Sequence, residues 1–364
     1  MAAGWHGVTP LQTEIVRTAA EWQALEPAWR RLLADCGSDS PFMTWEWLEP
    51  WRAAFAADRP LLVLVVRDGR DVAAILPLVV HAYRRRKLVQ RTLRPFGAGL
   101  SDRLDLLLHP ECPQAATALA RALADLRHDW DRVELPDLAA DRGLPGRLET
   151  ALAGAGLIVE REPASRCPCL PLAGDFEHFY RQQVSARTRS KDRAKLRKFN
   201  AMPGFQFRSC RDRDDCLAEL ERIFAMQESS SYHGTPRVRP FDSERAREFF
   251  RDATERLSNQ GWLLLNLAEA GDELLAYEFG FLYHNRYLDY YGGYSPAHRK
   301  LSPGRMVMLN LIERLCAAGV SELDFLRGAE EWKSDWATDC RENESLRIAN
   351  PGLGSRLRRL LQGS

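Results

Sequence analysis

The sequence predicts an α+β (mixed α/β) fold in two tandem domains, each a mostly antiparallel central sheet flanked by helices. Three observations predict it. Apolar runs of strand length alternate with stretches whose apolar residues recur at helical spacing. Turn residues at hairpin spacing, Asp68-Gly69, Gly271-Asp272 and His284-Asn285, join neighbouring strand runs. Near the middle, PASRCPCLPLAGD (163–175) gathers Pro, Gly and small residues, which predicts domains over 1–165 and 166–364. At 364 residues the chain is long enough for two cores.

In order along the chain, AEWQALEPAWRRLLAD (20–35) has helical spacing, and Ser40-Pro41-Phe42-Met43-Thr44 is an expected helix start before WEWLEPWRAAFAA. LLVLVV (61–66) and VAAILPLVVHAYR are expected strands, as are RTLRPFG and RLDLLLH. A helix at 115–126, the strand RVELPDL, a helix at 144–152 and the strand LIVEREP close the first half. The second half expects a helix from about Phe176, a basic helical segment, the strand FQFRS, and helices at 214–228 and 243–258. Three strands then follow, WLLLNLAEA, ELLAYEFGFLY and RYLDYYGGY, before a helix, the strand SELDFLR, and a final strand and short helix. Gly292-Gly293, ending the third strand, suggests a bulge or a place where another molecule meets the backbone.

Composition sets the class. Apolar content of 45%, charged content of 28% and a net charge of +1 describe an ordinary globular protein, with no overall charge to recruit nucleic acid or acidic membrane. The first residues lack a basic segment followed by an apolar one, and no apolar run is long enough to span a bilayer, so a cytoplasmic location is expected. Eight cysteines are scattered without a disulfide framework. Cys167-Pro-Cys169 offers two thiolates, but structural zinc wants four ligands and no second CxxC or HxxxH exists, so no metal is expected.

The helix start in RKLSPGRMVMLNLIERL (299–315) is unusual. Ser302 is placed to cap and Pro303 suits the first helical position. Gly304 weakens a helix by about 1 kcal/mol relative to Ala, so its missing side chain is wanted for packing or for close approach of a ligand. Free N–H groups, the helix dipole and the cations Arg299, Lys300 and Arg305 all favour an anion there.

A meander, a basic loop, a glycine-containing helix start and another strand resemble the core of the GNAT acyltransferases. Their loop pattern, Q/R-x-x-G-x-G/A, aligns with Arg299, Lys300, Leu301, Ser302, Pro303 and Gly304; the middle glycine is Ser302 here. The resemblance implies that this loop binds the pyrophosphate of acetyl-CoA or another acyl-CoA. The stretch AYEFGFLYHNRYLDYYGGYSPAHRKLSPGRMVMLNLIERLCAAGVSELDFLRGAEEWKSDW is similar to the CelD-like tandem GNAT proteins, most strongly over about 262–336 and more faintly at FMTWEWLEPW and the basic segment. It also resembles the Fem-type aminoacyltransferases, which implies a place for Trp332-Lys333 in an active site. The resemblance further implies that the first domain is a degenerate copy.

Acyl transfer to an amine needs a held donor, a proton acceptor and stabilisation of the oxyanion. Glu278 and Asp289 are carboxylates inside apolar strands, where burial would raise a pKa toward that of a base. Alternation sets Tyr277, Phe279 and Phe281 on one face and Glu278 and Gly280 on the other. Tyr290, Tyr291 and Tyr294 are candidates to protonate a leaving thiolate, and Lys333 to stabilise the oxyanion. Asp324 and Arg327 are placed to pair with each other, and Tyr232-His233-Gly234 sits in a polar loop. No Gly-x-Ser-x-Gly, HExxH or P-loop occurs.

The segment SARTRSKDRAKLRK (185–198) carries seven basic residues against Asp192, enough for tRNA, anionic lipid or polysaccharide phosphate. It has no interleaved aromatics for base stacking. The expected activity is therefore transfer of an acetyl or longer acyl group from acyl-CoA to an amine, with a place in exopolysaccharide or envelope metabolism. The alternatives are a Fem-like transferase using aminoacyl-tRNA and a non-catalytic interaction module of an envelope-polymer assembly.

Overall fold

Local chemistry accounts for most of the first elements. The computed structural model describes residues 10–85, 88–172, 174–229, 241–328 and 330–351. After β1 (Gln12–Val16), Thr18 and Glu21 form a reciprocal capping box that starts α1 (Ala19–Ala24). A break at Leu25 separates it from α2 (Glu26–Asp35), so the single helix expected over 20–35 is two. Pro41–Met43 forms a 3-10 turn, and α3 (Trp45–Phe55) starts from Thr44 rather than Ser40. The hydroxyl of Ser40 donates instead to the carbonyl of Arg103.

Strands β2 (Leu61–Asp68) and β3 (Asp71–Arg85) are joined at Gly69, whose φ of +59° is left-handed and free of strain only for glycine. There follow β4 (Leu88–Pro95), the two-residue β5 (Leu107–Leu108), α4 (Ala115–Asp125), β6 (Arg132–Ala139), α5 (Leu144–Gly154) and β7 (Ile158–Pro171). The second half contributes α6 (Phe176–Gln183), α7 (Ala186–Asn200), β8 (Phe205–Cys210), α8 (Arg213–Ser229) and α9 (Glu244–Asn259). Then come β9 (Leu263–Ala270), β10 (Glu273–Tyr283), β11 (Arg286–Tyr294), a 3-10 turn at Pro296–Leu301, α10 (Pro303–Ala317), β12 (Glu322–Asp324), α11 (Glu331–Ser334) and β13 (Asp339–Ala349).

The chain divides into one unit of residues 1–165 with 342–364 and a second of 166–341. The sequence reading kept everything after 166 together. Strand β13 instead pairs antiparallel with β6, from Asn343 opposite Ala139 to Ala349 opposite Arg132, and that ladder assigns the end of the chain to the first unit.

Within the first unit the strand order is β1-β2-β3-β4-β6-β13, antiparallel throughout except for β4 with β6. Its core gathers Leu62, Leu64, Leu76 and Leu78 of the sheet with Leu119 and Leu123 of α4. The second unit orders its strands β7-β12-β11-β10-β9-β8, with only β11 and β12 parallel. His284 and Asn285, at φ +48° and +58°, make the two-residue turn whose twist matches a hairpin. One face of this sheet packs Phe279, Phe281 and Tyr290 against Phe250 of α9. The other face lies under α10, which buries Met308, Leu311, Ile312 and Leu315.

Candidate active site

A polar row crosses the α10 face of the second sheet. Ser209, Asn266, Glu278 and Gly292 stand directly opposite one another on β8, β9, β10 and β11. Ser209 donates to Asn266 Oδ1 at 2.8 Å, and Asn266 Nδ2 donates to the Val307 carbonyl of α10 at 3.1 Å. Beside this row a bulge between Phe279 and Gly280 sets Asp289 opposite Gly280 and Tyr291 opposite Phe279. It leaves Tyr290 as the extra residue, so Tyr290 and Tyr291 share the α9 face while Asp289 joins Glu278 under α10.

The glycines here make room for the protein's own side chains. A methyl group at Gly292 would lie 2.1 Å from Glu278 Oε2, and one at Gly280 2.3 Å from the Tyr287 ring. Gly293 likewise accommodates Tyr277. Glu278 and Asp289 are each only 5% exposed. Burial first, then the neighbouring Asp289 charge and a hydrogen bond with it, push the Glu278 carboxyl well above its ordinary pKa. The shift favours the protonated form of Glu278 beside Asp289. Tyr287, buried next to both acids and donating to the Leu264 carbonyl, is also held in its neutral form.

Strand β11 loses its neighbour just at this pair. Its pairing with β12 covers only Arg286, Tyr287 and Leu288, opposite Glu322, Leu323 and Asp324. Beyond Asp324 the chain turns away: Leu326 is left-handed, and the amides of Phe325 and Gly328 donate to the carbonyls of Pro168 and Arg166 on β7. From Asp289 to Tyr294, β11 has no strand on that side among the described residues. The paired end is locked by Arg286, which donates to Glu322 (2.7 Å) and Asp324 (2.9 Å). The fully buried Asp324 carboxylate thus pairs with Arg286 on the strand beside it and with Arg341.

Lys333 lies on the one-turn α11 after that divergence. Its buried ammonium donates to the Arg327 carbonyl at 2.8 Å and pairs with Glu330 at 3.0 Å, which ties the 326–333 loop together. Trp332 beside it is 39% exposed.

The open edge of β11 leads to the start of α10. Ser302 sits there at φ +53°, ψ +59°, and its side chain makes no capping bond; the hydroxyl accepts from Lys195 of α7 at 2.7 Å. The expected cap is thus replaced by a left-handed turn, which aims the hydroxyl away from the helix amides. Gly304 has space beside it, since a methyl group there would come no nearer than 3.4 Å to Tyr294 Cδ1. Arg299 and Lys300 are exposed, with no ion pair among the described residues.

Arg305 differs from both. It donates to the buried Asp192 at 3.0, 3.2 and 3.1 Å and to Asp335 at 3.0 Å, with its guanidinium 4.5 Å from the Trp336 ring centre. Asp192 also accepts from Tyr180 at 2.8 Å. That carboxylate neutralises Arg305 and ties α7 to α10, so the residue expected to face a phosphate instead joins two helices.

Of the expected residues, Glu278 and Asp289 come together, while Arg299, Lys300, Ser302 and Gly304 share the helix start. Tyr291 lies on the opposite face of the sheet, edge-on to Phe241 and 3.5 Å from Gln227 Oε1. Tyr294 packs beside Gly304. Tyr232-His233-Gly234 lies outside the described residues. Sequence reasoning missed Asn266 and Tyr287; an asparagine inside LLLNLAEA was the readable signal. Cys167 and Cys169 are buried free thiols on β7, and no group of residues suited to a metal occurs among the described residues.

An acetyltransferase (GNAT) domain model matches residues 186–334, the span from α7 to α11. No curated protein sequence matches the chain. Among solved structures, FemX superposes with a TM-score of 0.60 at 12% identity, covering 96% of this chain and 99% of FemX. A tandem GNAT protein from the clavulanic acid biosynthesis pathway gives 0.52 at 16%, with 94% and 100% covered. A conserved protein of unknown function from Bacteroides thetaiotaomicron gives 0.51 at 11%, with 93% and 100% covered. Residues 186–334 thus match an acetyltransferase (GNAT) domain, and the chain as a whole has the fold shared by FemX and a tandem GNAT protein.

Proposed function

We propose that the chain is an N-acyltransferase that takes an acetyl or longer acyl group from acyl-CoA and passes it to a small amine such as an amino sugar or amino acid. One observation carries this reading: the open edge of β11 has a buried carboxyl pair at one end and an anion-favouring helix start at the other. The residues fit the donor. Gly304 leaves space, its N–H and that of Arg305 precede the first intrahelical partners, and Arg299 and Lys300 remain to meet pyrophosphate. The backbone of Asp289–Tyr294 offers N–H and C=O groups for the extended arm of the donor, as a strand edge does for a peptide.

Acyl-CoA supplies the activated thioester. Asp289 accepts the proton of the attacking amine as the C–N bond forms; the C–S bond then breaks and CoA leaves as the thiol, taking that proton, while Glu278 keeps its own proton against Asp289 and limits the charge in the buried site. N–H groups along the β11 edge supply donors for the oxygen on which charge develops. Lys333 is bound to the carbonyl of Arg327 in the segment that follows β12. We read the first unit as a copy without a donor site.

Thermal shift with acetyl-CoA tests the reading, since a ligand at 100 times its dissociation constant stabilises by about 2.7 kcal/mol. Gly304→Val is expected to keep the melting temperature of the free protein and to lose that shift. Asp289→Asn is expected to bind acyl-CoA normally and to lower kcat for thiol release with an amine by about 10²- to 10⁴-fold. No shift with any acyl-CoA overturns the donor assignment.

A further inference from the structure

Several cations in the second unit are neutralised. Arg208, Arg222, Arg251, Arg286 and Arg305 each meet a carboxylate. Helix α7 and the turn beside the start of α10 gather cations of the other kind. Lys191, Lys195 and Lys198 of α7, with Arg299 and Lys300 of the adjoining turn, have no ion pair among the described residues. The single acid of α7, Asp192, is 2% exposed and already bound by Tyr180 and Arg305.

Two facts show which way the lysines face. The contact of Lys195 Nζ with Ser302 Oγ turns that side of α7 toward the start of α10. Positions 191, 195 and 198 are spaced by four and three residues, so they stack along that same side. Like charges at this spacing each weaken a helix by about 0.2–0.5 kcal/mol, and no acid on α7 offsets them. An arrangement that costs stability in the free protein and gathers point charges beside an anion-favouring turn suits a polyphosphorylated ligand.

Resting on the donor assignment above, we propose that Lys191 and Lys198 hold a third phosphate of the donor, the 3′-phosphate on the ribose of CoA. They would thereby make the enzyme select CoA thioesters over pantetheine thioesters that lack it. The chemistry matches. A phosphate monoester carries a charge of about −1.5 to −2 at neutral pH. It lies one ribose beyond the pyrophosphate assigned to Arg299, Lys300 and the α10 amides, and Lys195, which touches that turn, stands between Lys191 and Lys198 about one helical turn from each.

The experiment measures equilibrium binding of CoA and of 3′-dephospho-CoA to the full chain, as wild type and as a Lys191→Gln/Lys198→Gln variant, with circular dichroism to follow helix content. The wild type is expected to bind CoA about tenfold to a hundredfold more tightly than 3′-dephospho-CoA. The variant is expected to lose that preference through weaker CoA binding, with its affinity for 3′-dephospho-CoA unchanged. Equal affinity of the wild type for both ligands overturns the assignment while leaving the donor reading intact. An equal loss for both ligands in the variant overturns it too, by making the lysines a general anion surface. If neither ligand binds, the donor reading falls and this assignment with it.

Discussion

The two units run the same plan to different ends. Each takes a three-stranded meander into a helix and then into a strand parallel to the third: β2, β3, β4, α4 and β6 in one, β9, β10, β11, α10 and β12 in the other. Helix α4 begins at Gln114 in right-handed geometry with no cation nearby in sequence, and its first residues, Ala115 and Ala116, are buried. Helix α10 begins at a left-handed serine, follows with Pro303 and Gly304, and has unpaired cations before it. Under α4 the sheet presents Leu62, Leu64, Val66, Leu76 and Leu78. Under α10 it presents Asn266, Glu278, Tyr287 and Asp289. Burying an aliphatic seam stabilises a fold by about 25 cal/mol per Å². Burying carboxyl groups works against it. Polar groups placed where the sister unit uses leucine thus set the second unit apart as the place of the proposed chemistry.

That contrast breaks first at Arg305, where the largest effect is expected. If this guanidinium is a structural partner of Asp192 and not a phosphate ligand, Arg305→Ala leaves a buried carboxylate uncompensated and costs about 3–5 kcal/mol. The melting temperature should fall by roughly 10 °C. Adding Asp192→Asn should recover most of the loss, because it removes the stranded charge. An unchanged melting temperature with lost acyl-CoA affinity would return Arg305 to the donor site.

The carboxyl pair gives the next effect. Folded Glu278 holds a proton that the unfolded chain releases above its ordinary pKa of 4.5. The folded state then binds more protons than the unfolded one, so the contribution is complete below about pH 4.5. It is lost as pH rises toward the raised value, at about 1.4 kcal/mol per pH unit. Glu278→Gln cannot titrate, so the stability of wild type relative to this variant should decline as pH rises above about 4.5 in urea unfolding. Parallel pH curves for the two proteins would show that the proton is not held.

Legibility in the sequence followed range. The left-handed turns at Gly271 and at His284-Asn285 depend on neighbours a few residues apart. So does the glycine at the head of α10. The bulge at Phe279/Gly280 is a matter of register between strands, and an alternation count on one strand cannot place Tyr291 on the face opposite Glu278. The commitment of Arg305 to Asp192 spans 113 residues, and the pairing of β13 with β6 spans about 200. An acid alone in a basic helix was visible in the sequence. Its partner was not, because burial chose it.

Ser302 carries the smallest effect and the finest distinction. A non-glycine residue in left-handed geometry gives up about 1 kcal/mol, and glycine stands at this position in the loop pattern the segment resembles. Ser302→Gly relieves that strain, but it also loosens the unfolded chain and removes the acceptor of Lys195. The net gain should stay below about 1 kcal/mol, a rise of roughly 2–4 °C in melting temperature at most. Acyl-CoA affinity separates the two roles of the serine. If the backbone alone shapes the turn, the glycine variant binds as tightly as wild type, and the second unit differs from the first through charge and conformation. If affinity drops tenfold, the hydroxyl itself meets the donor, and Lys195 is the residue that keeps it poised in the free protein.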